Sequence, residues 1–421
     1  MELKQTLTIS ETAITYANIS QAGLTPVQLA TAYNMPANNG AGVKIGIFSL
    51  GGGWLQTDLN SSMTAMGITP PNITTVLVDG ATNNFSNNLN DIYNISPENT
   101  LDLYCIAGIV PGANIVIYIG QGNTTAGWVN VLNRMIDDNC DIISMSYAID
   151  EAQGYGDFLS IPLSRAAARG ITVLAASGDW GSEGNQDIGM LSAGYPATSP
   201  NVIAVGGTTL ALTSGNLRAT ETTSIRSGGG ISSKFNLPIW QQGLTYRIDG
   251  RIGMVELTEL PRLLGTRGVP DISAHFGPYG LYFGGNIIQL FGTSASTPIL
   301  AGMVARFISA SGRRPPALNT IFYSNTSAFN DISGGNNDLA PLPNGLYYGY
   351  AATPGWDPVT GLGSPNGQAL YNVIYPNNIT VKDNTGTWAP VANVLVKTGS
   401  ATWARAKAVW AKTATGWKSV A

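Results

Sequence analysis

The sequence predicts an α/β protein whose doubly wound, mostly parallel sheet carries helices on both faces, followed by a small C-terminal module of β-hairpin repeats. Short apolar runs alternate with helical patterns over most of the 421 residues. The 44% hydrophobic residues and 51 glycines allow one large core with many tight turns. Beyond residue 375 the amino-acid sequence repeats with a short period, which predicts that this part of the chain is a separate module.

Five apolar runs have the length and composition of buried strands. Two intervening stretches, WVNVLNRMID (128–137) and the one ending SRAAARG (164–170), have helical patterns. Sheets of alternating strands and helices carry their sites at the carboxyl ends of the strands, and Asp179 and the glycines at 51–53 lie just past such ends. The predicted strands are VKIGIFS (43–49), NIVIYIG (114–120), DIISMS (141–146), ITVLAAS (171–177) and NVIAVGG (201–207).

The composition excludes several classes of protein. The chain has no Walker loop, HExxH or CxxC site, and no apolar run reaches the roughly 18 residues that span a bilayer, so we expect neither nucleic acid nor membrane as a partner. Cys105 and Cys140 lie in apolar contexts typical of buried thiols, which makes a disulfide framework unlikely to be the source of stability. Only 11% of residues are charged and the pI is about 5.1, a surface suited to acid.

The segment GTSASTP (292–298) gives the strongest chemical signal. It places Ser294 between small residues at the predicted start of an apolar helix, where a nucleophilic hydroxyl can be approached from solvent. A serine nucleophile needs a base to take its proton, and the usual base is histidine. The chain contains one histidine, His275. We therefore expect the base to be another kind of residue.

Two carboxylates one helical turn apart are candidates for that base. In SPENTLDLYCIAGIVPGA, Ser96 and Pro97 predict an N-cap and first turn, so Glu98 and Asp102 fall at i and i+4 on one face. One proton shared between them relieves their repulsion and raises at least one pKa, which prepares a carboxylate to accept a proton in acid. An isolated pair of this kind is usually a solvated helix start, and Ser294 favours the catalytic interpretation.

A third fragment, SGDWGSEG (177–184), directly follows a predicted strand. Asp179 lies there in a glycine-flanked turn, where backbone can approach a ligand closely. If protonated, its carboxyl can donate a hydrogen bond to the oxyanion formed on a peptide carbonyl, together with the backbone N–H of Ser294. Taken alone, Asp179 is more typical of a turn-forming residue.

These fragments, in this order, resemble the sedolisin family of serine-carboxyl peptidases. The resemblance runs from about Leu24 to Tyr371 and extends to blocks outside the predicted site. Those blocks are LTPVQLATAYNMP (24–36), SLGGGW (49–54), YPATSPNVIAVGGTTL (195–210), SGGGISSKFNLPIWQ (227–241), VPDISA (269–274) and GWDPVTGLGSPNG (355–367).

The resemblance implies a subtilisin-like fold and an endopeptidase that cleaves protein or peptide substrates through an acyl-enzyme, with an acid pH optimum. Ser294 would attack the peptide carbonyl, and Glu98 would act as general base and then as general acid. Asp102 would orient and tune Glu98, and Asp179 would complete the oxyanion hole. These are the roles that the residue chemistry gives independently.

The resemblance also implies one structural Ca²⁺ ion near the end of the peptidase domain. The segments FNDISGGNND and TPGWDP resemble the family's sequence around that ion. Carboxylates from Asp331 and Asp357 and backbone carbonyls of Ile332, Thr353 and Gly355 would form an all-oxygen set suited to a hard cation. Without the resemblance, these acids would be interpreted as loop residues.

Two features depart from the family pattern. Many members carry an acid where Ser49 stands and Trp-Gly where Tyr147 and Ala148 stand, so the proton network around the base and the pH optimum are expected to differ. We expect residues 1–23 to be a short N-terminal extension without a signal peptide, before the peptidase domain at 24–375. The long propeptide typical of the family is expected either to be absent or to have its work done otherwise.

The pattern of the tail, residues 376–421, favours a separate attachment or assembly module over a packing or trimming module of no separate function. Its units repeat every 15 residues or so, and each has the pattern of a β-hairpin. The tail holds six basic residues and one acid, against 15 basic and 24 acidic residues before it. Trp-rich hairpins this short need a partner, so we expect contacts with another protein chain or self-association. The residues recurring in step are Val381 and Val396, then Lys382, Lys397 and Lys412, then Trp388, Trp403 and Trp417.

Two alternatives follow from these observations. One is a subtilisin with Ser-His-Asp chemistry, but His275 lies 19 residues before Ser294 and no His-Gly-Thr helix start occurs upstream, so we expect a packing or surface role for this histidine. The other is a catalytically silent virion structural or receptor-binding protein on a peptidase scaffold, since the tail resembles the Trp and Lys hairpins of phage virion proteins. The predicted location is extracellular or virion-associated.

Overall fold

The computed structural model describes residues 18–376 except 92, 155, 187, 253–254 and 340–344, together with short strands at 8–9 and beyond residue 379. The chain forms two compact units, Met1–Leu370 and Tyr371–Ala421. The boundary lies five residues before the one that the sequence predicts.

An eight-stranded sheet forms the centre of the first unit. Its order is β7-β6-β5-β4-β1-β3-β2, and β8 pairs with β6. All neighbouring pairs are parallel except β6 with β7. The strands are β1 (Lys44–Ser49), β2 (Thr74–Leu77), β3 (Asn114–Ile119), β4 (Ile142–Met145), β5 (Thr172–Ala176), β6 (Ile203–Leu212), β7 (Arg218–Thr223) and β8 (Ile272–His275).

The five predicted strands are confirmed as β1, β3, β4, β5 and β6, the parallel centre of the sheet. Four of them end within a residue of the prediction. The fifth was predicted to end at 207 and continues to Leu212, because its second half pairs with the antiparallel edge strand β7. That edge strand, RATETT, has no buried apolar run to reveal it.

Nine helices lie within the described residues. The predicted helices at 128–137 and 164–170 correspond to α5 and α6. The helices are α1 (Ile19–Ala22), α2 (Pro26–Ala32), α3 (Gln56–Ala65), α4 (Ser96–Ile109), α5 (Thr125–Asp137), α6 (Ser160–Ala168), α7 (Thr293–Ser311), α8 (Leu318–Ser324) and α9 (Gly367–Ile374). Short 3-10 turns occur at Glu151–Gln153, Gly181–Glu183, Ile239–Gln241 and Thr326–Ala328.

Helices cover both faces of the sheet, as predicted. On one face, α5 and α6 pack over a cluster in which Phe48 of β1 meets Trp128 and Leu163. The neighbouring Ile47 of β1 points to the other face, where α4 packs against α7. Glu98 and Asp102 lie on α4 and Ser294 lies on α7, whereas Asp179 lies in the loop after β5. Within the part of the chain that the structure describes, no helix is long and apolar enough to cross a membrane.

Smaller strand pairs surround the central sheet. Ile149–Asp150 pairs with Gly194–Tyr195, and Tyr279–Phe283 pairs with Asn286–Phe291, which also pairs with Thr8–Ile9. The remaining strands of this unit are Gly230–Asn236, Thr245–Tyr246, Ile248–Ile252, Val255–Thr258, Arg262–Leu263, Thr266–Val269, Phe329–Asn330, Tyr347–Tyr350 and Ser364–Pro365.

The second unit contains three short antiparallel strand pairs. They are Thr380–Lys382 with Trp388–Pro390, Leu395–Lys397 with Trp403–Arg405, and Trp410–Thr413 with Gly416–Ser419. The turns that complete the predicted hairpins lie outside the described residues, so the role of the module stays a prediction.

Candidate active site

Helix α4 carries two of the predicted site residues and is buried along its whole length. The prediction that Ser96 caps this helix was wrong, because Ile95 is the N-cap residue and Ser96 already lies in the first turn. The Ser96 hydroxyl oxygen instead accepts hydrogen bonds from the backbone N–H groups of Gly53 (3.2 Å) and Ser86 (3.0 Å). The start of α4 is thereby tied to the glycine loop that follows β1.

Asp102 is fully buried and contacts the segment of Ser294 through one serine. The Ser146 hydroxyl, just past β4, donates to Asp102 Oδ1 at 2.7 Å and lies 3.1 Å from the Ser294 carbonyl oxygen. Burial raises the pKa of Asp102 well above its usual range, and the Ser146 hydrogen bond opposes that rise. Burial therefore favours the protonated form of Asp102.

Glu98 lies one helical turn before Asp102 and is 1% exposed. The charges of the two carboxyls affect the pKa values of the same two neighbours. Burial, and then the charges of Asp102 and Glu98, raise the pKa of the Cys105 thiol. Burial also raises the pKa of Tyr147, with smaller contributions from Glu98 and Asp102. The two carboxyls therefore lie in one buried environment together with Cys105 and Tyr147.

Ser294 lies in the first turn of α7, as the sequence predicts. The helix begins at Thr293 after Gly292, whose φ of 151° takes the chain sharply into the helix. Ser294 is 6% exposed, and its hydroxyl lies 3.4 Å from the carbonyl oxygen of Ser146, which it faces as donor. The serine that contacts Asp102 thus also contacts the predicted nucleophile.

Asp179 is held by the residue before Ser294. Its Oδ1 atom accepts hydrogen bonds from the backbone N–H and the hydroxyl of Thr293, both at 2.8 Å. Its Oδ2 atom is buried with no hydrogen-bond partner among the described residues. Burial raises the pKa of Asp179 to about 6, opposed by the Thr293 bonds and by the charge of Arg226. At acidic pH this carboxyl is a neutral donor with one unused oxygen.

Gly292 gives Asp179 the space for this arrangement. A Cβ atom at position 292 would lie 2.6 Å from Asp179 Oδ2, and the backbone conformation itself disfavours any other residue. The glycine of GTSASTP is therefore required for close approach between the Asp179 turn and the start of α7.

His275 has the packing role that the sequence predicts. It is 2% exposed, its Nδ1 accepts from the Leu210 backbone N–H at 3.3 Å, and its ring lies against Tyr279. Burial lowers its pKa to about 4. Its ring makes no hydrogen bond to Ser294, Glu98 or Asp102 among the described contacts, so a Ser-His-Asp arrangement is wrong for this site.

Ser49 and Tyr147 stand beside the acid pair at the positions where the sequence departs from the family pattern. The Ser49 hydroxyl donates to the Gly51 carbonyl at 3.1 Å and lies 3.4 Å from the Tyr147 hydroxyl. The Tyr147 hydroxyl accepts from the Leu50 N–H at 3.2 Å. Two neutral hydroxyls thus occupy this side of the site.

The predicted calcium residues come together in one loop cluster. The Gly355 N–H donates to Asp331 Oδ2 at 2.9 Å, and the Thr353 N–H donates to Asp357 Oδ2 at 3.3 Å. The Ile332 carbonyl lies 3.5 Å from the Thr360 hydroxyl. Asp357 is fully buried, and burial raises its pKa to about 8 although three backbone N–H groups bind it.

The donor set fits a hard cation, because a bound cation would keep the buried Asp357 ionised and the other donors are oxygens. No group of three or more His, Cys, Asp and Glu side chains that could hold a metal occurs within the described ranges. A cation here would depend on backbone carbonyls, as the resemblance implies. Both cysteines are free and buried, as predicted.

Three residues of the site escaped sequence reasoning. Ser146 and Thr293 connect the predicted residues through hydrogen bonds. Arg226 acts on Asp179 from a loop far away in the chain. Ser146 ends the predicted strand at 141–146, so the rule for strand ends could have found it. Thr293 could have been found because it adjoins the predicted nucleophile. No local signal marks Arg226.

Known proteins are similar to this chain over most of its length. The Subtilase family model matches residues 80–326. Kumamolisin of Bacillus sp. (strain MN-32) is 34% identical over 370 residues, which are 84% of this chain and 64% of kumamolisin. Sedolisin of Pseudomonas sp. (strain 101) is 32% identical over 387 residues, which are 84% of this chain and 61% of sedolisin.

A solved structure is similar to the fold. It is Pseudomonas sedolisin, a serine-carboxyl proteinase, complexed with two molecules of pseudo-iodotyrostatin. Its TM-score is 0.69 at 28% identity, covering 84% of this chain and 98% of the solved one. The chain spans less than two thirds of the length of the curated relatives kumamolisin and sedolisin.

Proposed function

Because the chain belongs to the subtilase family and is homologous to kumamolisin and sedolisin, we propose that it is a serine-carboxyl endopeptidase active in acid. The substrates are proteins or peptides. One observation carries the proposal. The Oδ1 atom of Asp179 accepts hydrogen bonds from Thr293, next to the nucleophile, and its Oδ2 atom is buried with no hydrogen-bond partner among the described residues.

In the first step, the Ser294 hydroxyl oxygen attacks the peptide carbonyl carbon and its proton passes to Glu98. Because burial favours the protonated form of Asp102, we assign the resting proton of the acid pair to Asp102, which leaves the Glu98 carboxylate free to take the Ser294 proton. Glu98 then gives the proton to the leaving amine, which leaves an acyl-enzyme on Ser294. Water releases the acid product with Glu98 again as base.

The negative charge that develops on the carbonyl oxygen needs donors already in place. We assign this role to the protonated Oδ2 of Asp179 together with the backbone N–H of Ser294. Thr293 fixes the carboxyl through Oδ1, so Oδ2 is the atom that carries the proton outward. A neutral carboxyl as donor is compatible with its raised pKa.

The pH dependence follows from this assignment. Asp179 donates only while protonated, so activity falls as the pH rises through about 6. The acid limit is set by the need for an ionised base.

Cleavage of an unfolded protein between pH 3 and 8 tests the proposal. Wild type is expected to cleave below about pH 6, and Ser294→Ala to lose activity by about 10⁴-fold or more. Asp179→Asn keeps a donor that does not titrate, so its remaining activity should persist above pH 6 while Asp179→Ala loses roughly 10²-fold or more at all pH values. Folded wild-type protein that cleaves nothing would favour the catalytically silent alternative.

We further propose that the loop cluster holds one structural Ca²⁺ ion, with Asp331 and Asp357 supplying carboxylates and Ile332, Thr353 and Gly355 supplying carbonyls. The ion would neutralise the buried carboxylate and join the 331–332 and 353–357 segments. Chelation should lower the melting temperature of wild type but not of Asp357→Asn. Equal melting temperatures with and without chelator in wild type would contradict the site.

Residues 376–421 are proposed to attach the enzyme to another protein chain or to itself, outside the cell. The support is the Trp and Lys repeat and the reversal of charge balance in the tail. Light scattering on the full chain and on a chain ending at Tyr375 tests self-association. Association with a virion stays a prediction from the resemblance of the tail.

A further inference from the structure

An open pocket of about 610 Å³ adjoins the start of α7, within the size range of ligand sites. Phe291 lines it and is separated from Ser294 by two residues. Phe276, on the pocket wall, accepts a hydrogen bond from the Gly292 N–H at 2.8 Å through its carbonyl. The pocket is therefore built on the same backbone that presents Ser294 and accommodates Asp179.

The lining combines apolar walls with a single charge. The ring centroids of Phe276 and Phe291 lie 6.2 Å apart, and Pro278 and Ile225 also line the pocket. Arg226 is the one charged residue of the lining, and no Asp or Glu lines the pocket. A positive charge between apolar surfaces suits a ligand that has an apolar stem and an anionic end.

Arg226 is held in place while its donors stay available. Its guanidinium lies 5.4 Å from the centroid of the Trp180 ring, and its carbonyl accepts from the Gly181 N–H at 3.1 Å. Its Nε is buried without a hydrogen-bond partner among the described residues. A buried donor left in this state costs free energy that an anionic ligand would recover.

The charge of Arg226 acts on Asp179, and among the described residues no ion pair within 4 Å joins Arg226 to any acid. Glu183, on the neighbouring 3-10 turn, is engaged by the Ile188 and Gly189 N–H groups. As the pH falls through about 6 Asp179 takes up a proton, so its charge no longer acts on the guanidinium under the conditions in which the site is expected to work.

We propose that this pocket is a substrate subsite for a carboxylate, supplied by an Asp or Glu side chain or by the C-terminus of the peptide, and that Arg226 determines this specificity. The inference rests on the proposed peptidase function and names the class of peptide it prefers. Asp and Glu are ionised above about pH 4, so the preference belongs to the window between about pH 4 and 6. At pH 3 it should fade because the carboxyl loses its charge.

Paired peptides test the subsite. Each pair differs only by Glu or Gln at one of the three positions on either side of the scissile bond, and each peptide is made with a free C-terminus and as an amide. The enzymes are the full-length wild type, Arg226→Gln, Arg226→Lys and, as a matched control outside the pocket, Arg134→Gln. Cleavage at pH 3 and pH 5 gives kcat/KM for each peptide.

At pH 5 we expect wild type and Arg134→Gln to favour Glu over Gln at one position, or the free acid over the amide, by roughly tenfold, the effect of one charge-assisted hydrogen bond. The ratio should approach one in Arg226→Gln and at pH 3, and keep part of its value in Arg226→Lys. Which pair responds identifies the source of the carboxylate. Ratios near one for all pairs in wild type would overturn the subsite.

Binding to Ser294→Ala separates failure of the subsite from failure of the proposed function. If wild type cleaves nothing, calorimetry of the same peptides on Ser294→Ala and on Ser294→Ala/Arg226→Gln still measures the preference. A Glu preference that depends on Arg226 supports the pocket without catalysis, and its absence there rejects it. Cleavage of the neutral peptides with no carboxylate preference rejects the subsite alone.

Discussion

Two buried pairs of ionisable residues, each spaced four apart, have opposite consequences. Arg267 and Asp271 are fully buried and joined by two hydrogen bonds, at 2.7 and 2.5 Å. Asp271 also accepts from the Tyr323 hydroxyl and the Ala204 N–H, both at 2.8 Å. Every oxygen of this carboxylate is used, and its charge is cancelled.

The second pair, Glu98 and Asp102, is as deeply buried but consists of two acids. Asp102 accepts a hydrogen bond from the Ser146 hydroxyl, and burial raises its pKa and so favours its uncharged form. The first pair connects β6 to the start of β8, whereas the second is proposed to hold the carboxyl that exchanges protons with Ser294. Spacing and burial are the same, so the signs of the charges decide between structure and chemistry.

Glu98→Gln is expected to cause the largest loss of activity. The amide keeps the shape but cannot take the Ser294 proton, so kcat/KM is expected to fall by about 10⁴-fold at pH 5 while the urea midpoint stays the same or rises. Asp137→Asn, an exposed acid on α5, is the control and should change neither value. An active Glu98→Gln enzyme would assign the base to another residue.

Arg267→Met should mainly affect folding. It leaves the buried Asp271 carboxylate without its cation, a loss of about 3–5 kcal/mol in the free energy of unfolding. Arg134→Met removes an exposed pair with Asp138 and should cost less than about 1 kcal/mol. Urea denaturation measures both. The double variant Arg267→Met/Asp271→Leu should recover most of the loss, and failure to do so would mean that the pair contributes more than charge cancellation.

Asp102→Asn should change how stability depends on pH. The folded pKa of Asp102 lies above its unfolded value near 3.8, so the folded state retains a proton that the unfolded state releases. That stabilisation is complete below the unfolded pKa and is lost as the pH rises through the folded pKa. Urea midpoints should therefore fall more from pH 4 to 8 in wild type than in Asp102→Asn. Parallel curves would show that Asp102 is ionised in the fold.

Ser146→Ala should have the smallest effect. It removes the hydroxyl that contacts both Asp102 and the Ser294 carbonyl, and kcat/KM is expected to fall roughly tenfold, the worth of about one hydrogen bond. Ser146→Thr keeps the hydroxyl and should retain more activity. An unchanged rate in Ser146→Ala would mean that α4 alone orients the acid pair.

The centre of the fold could be predicted because its strands are continuous apolar runs, as in NIVIYI and TVLAA. The polar edge strand β7 and the small hairpins could not, since their pairing depends on partners distant in the chain. Ser96 was assigned wrongly for the same reason. It looks like a helix cap locally, but the loops at Gly53 and Ser86 use its hydroxyl.

The candidate site also contains residues that local sequence predicts and one that it does not. Ser294, Glu98 and Asp179 stand in short segments whose chemistry can be recognised locally, and their roles remain predictions to be tested. Arg226 is separated from Asp179 by 47 residues, and its influence depends on how the loops fold together. Local sequence predicts the candidate reacting groups, while tertiary packing sets the surroundings that shift their pKa values.

All fourteen residues of α4 are buried, so this helix has no face on which it can fray toward solvent. Backbone amides in such a segment exchange with solvent deuterium only when the surrounding structure opens widely. We expect the amides around Glu98 and Asp102 to be among the slowest to exchange. The proposed general base would then lie in one of the last regions to open, and heat inactivation would coincide with global unfolding.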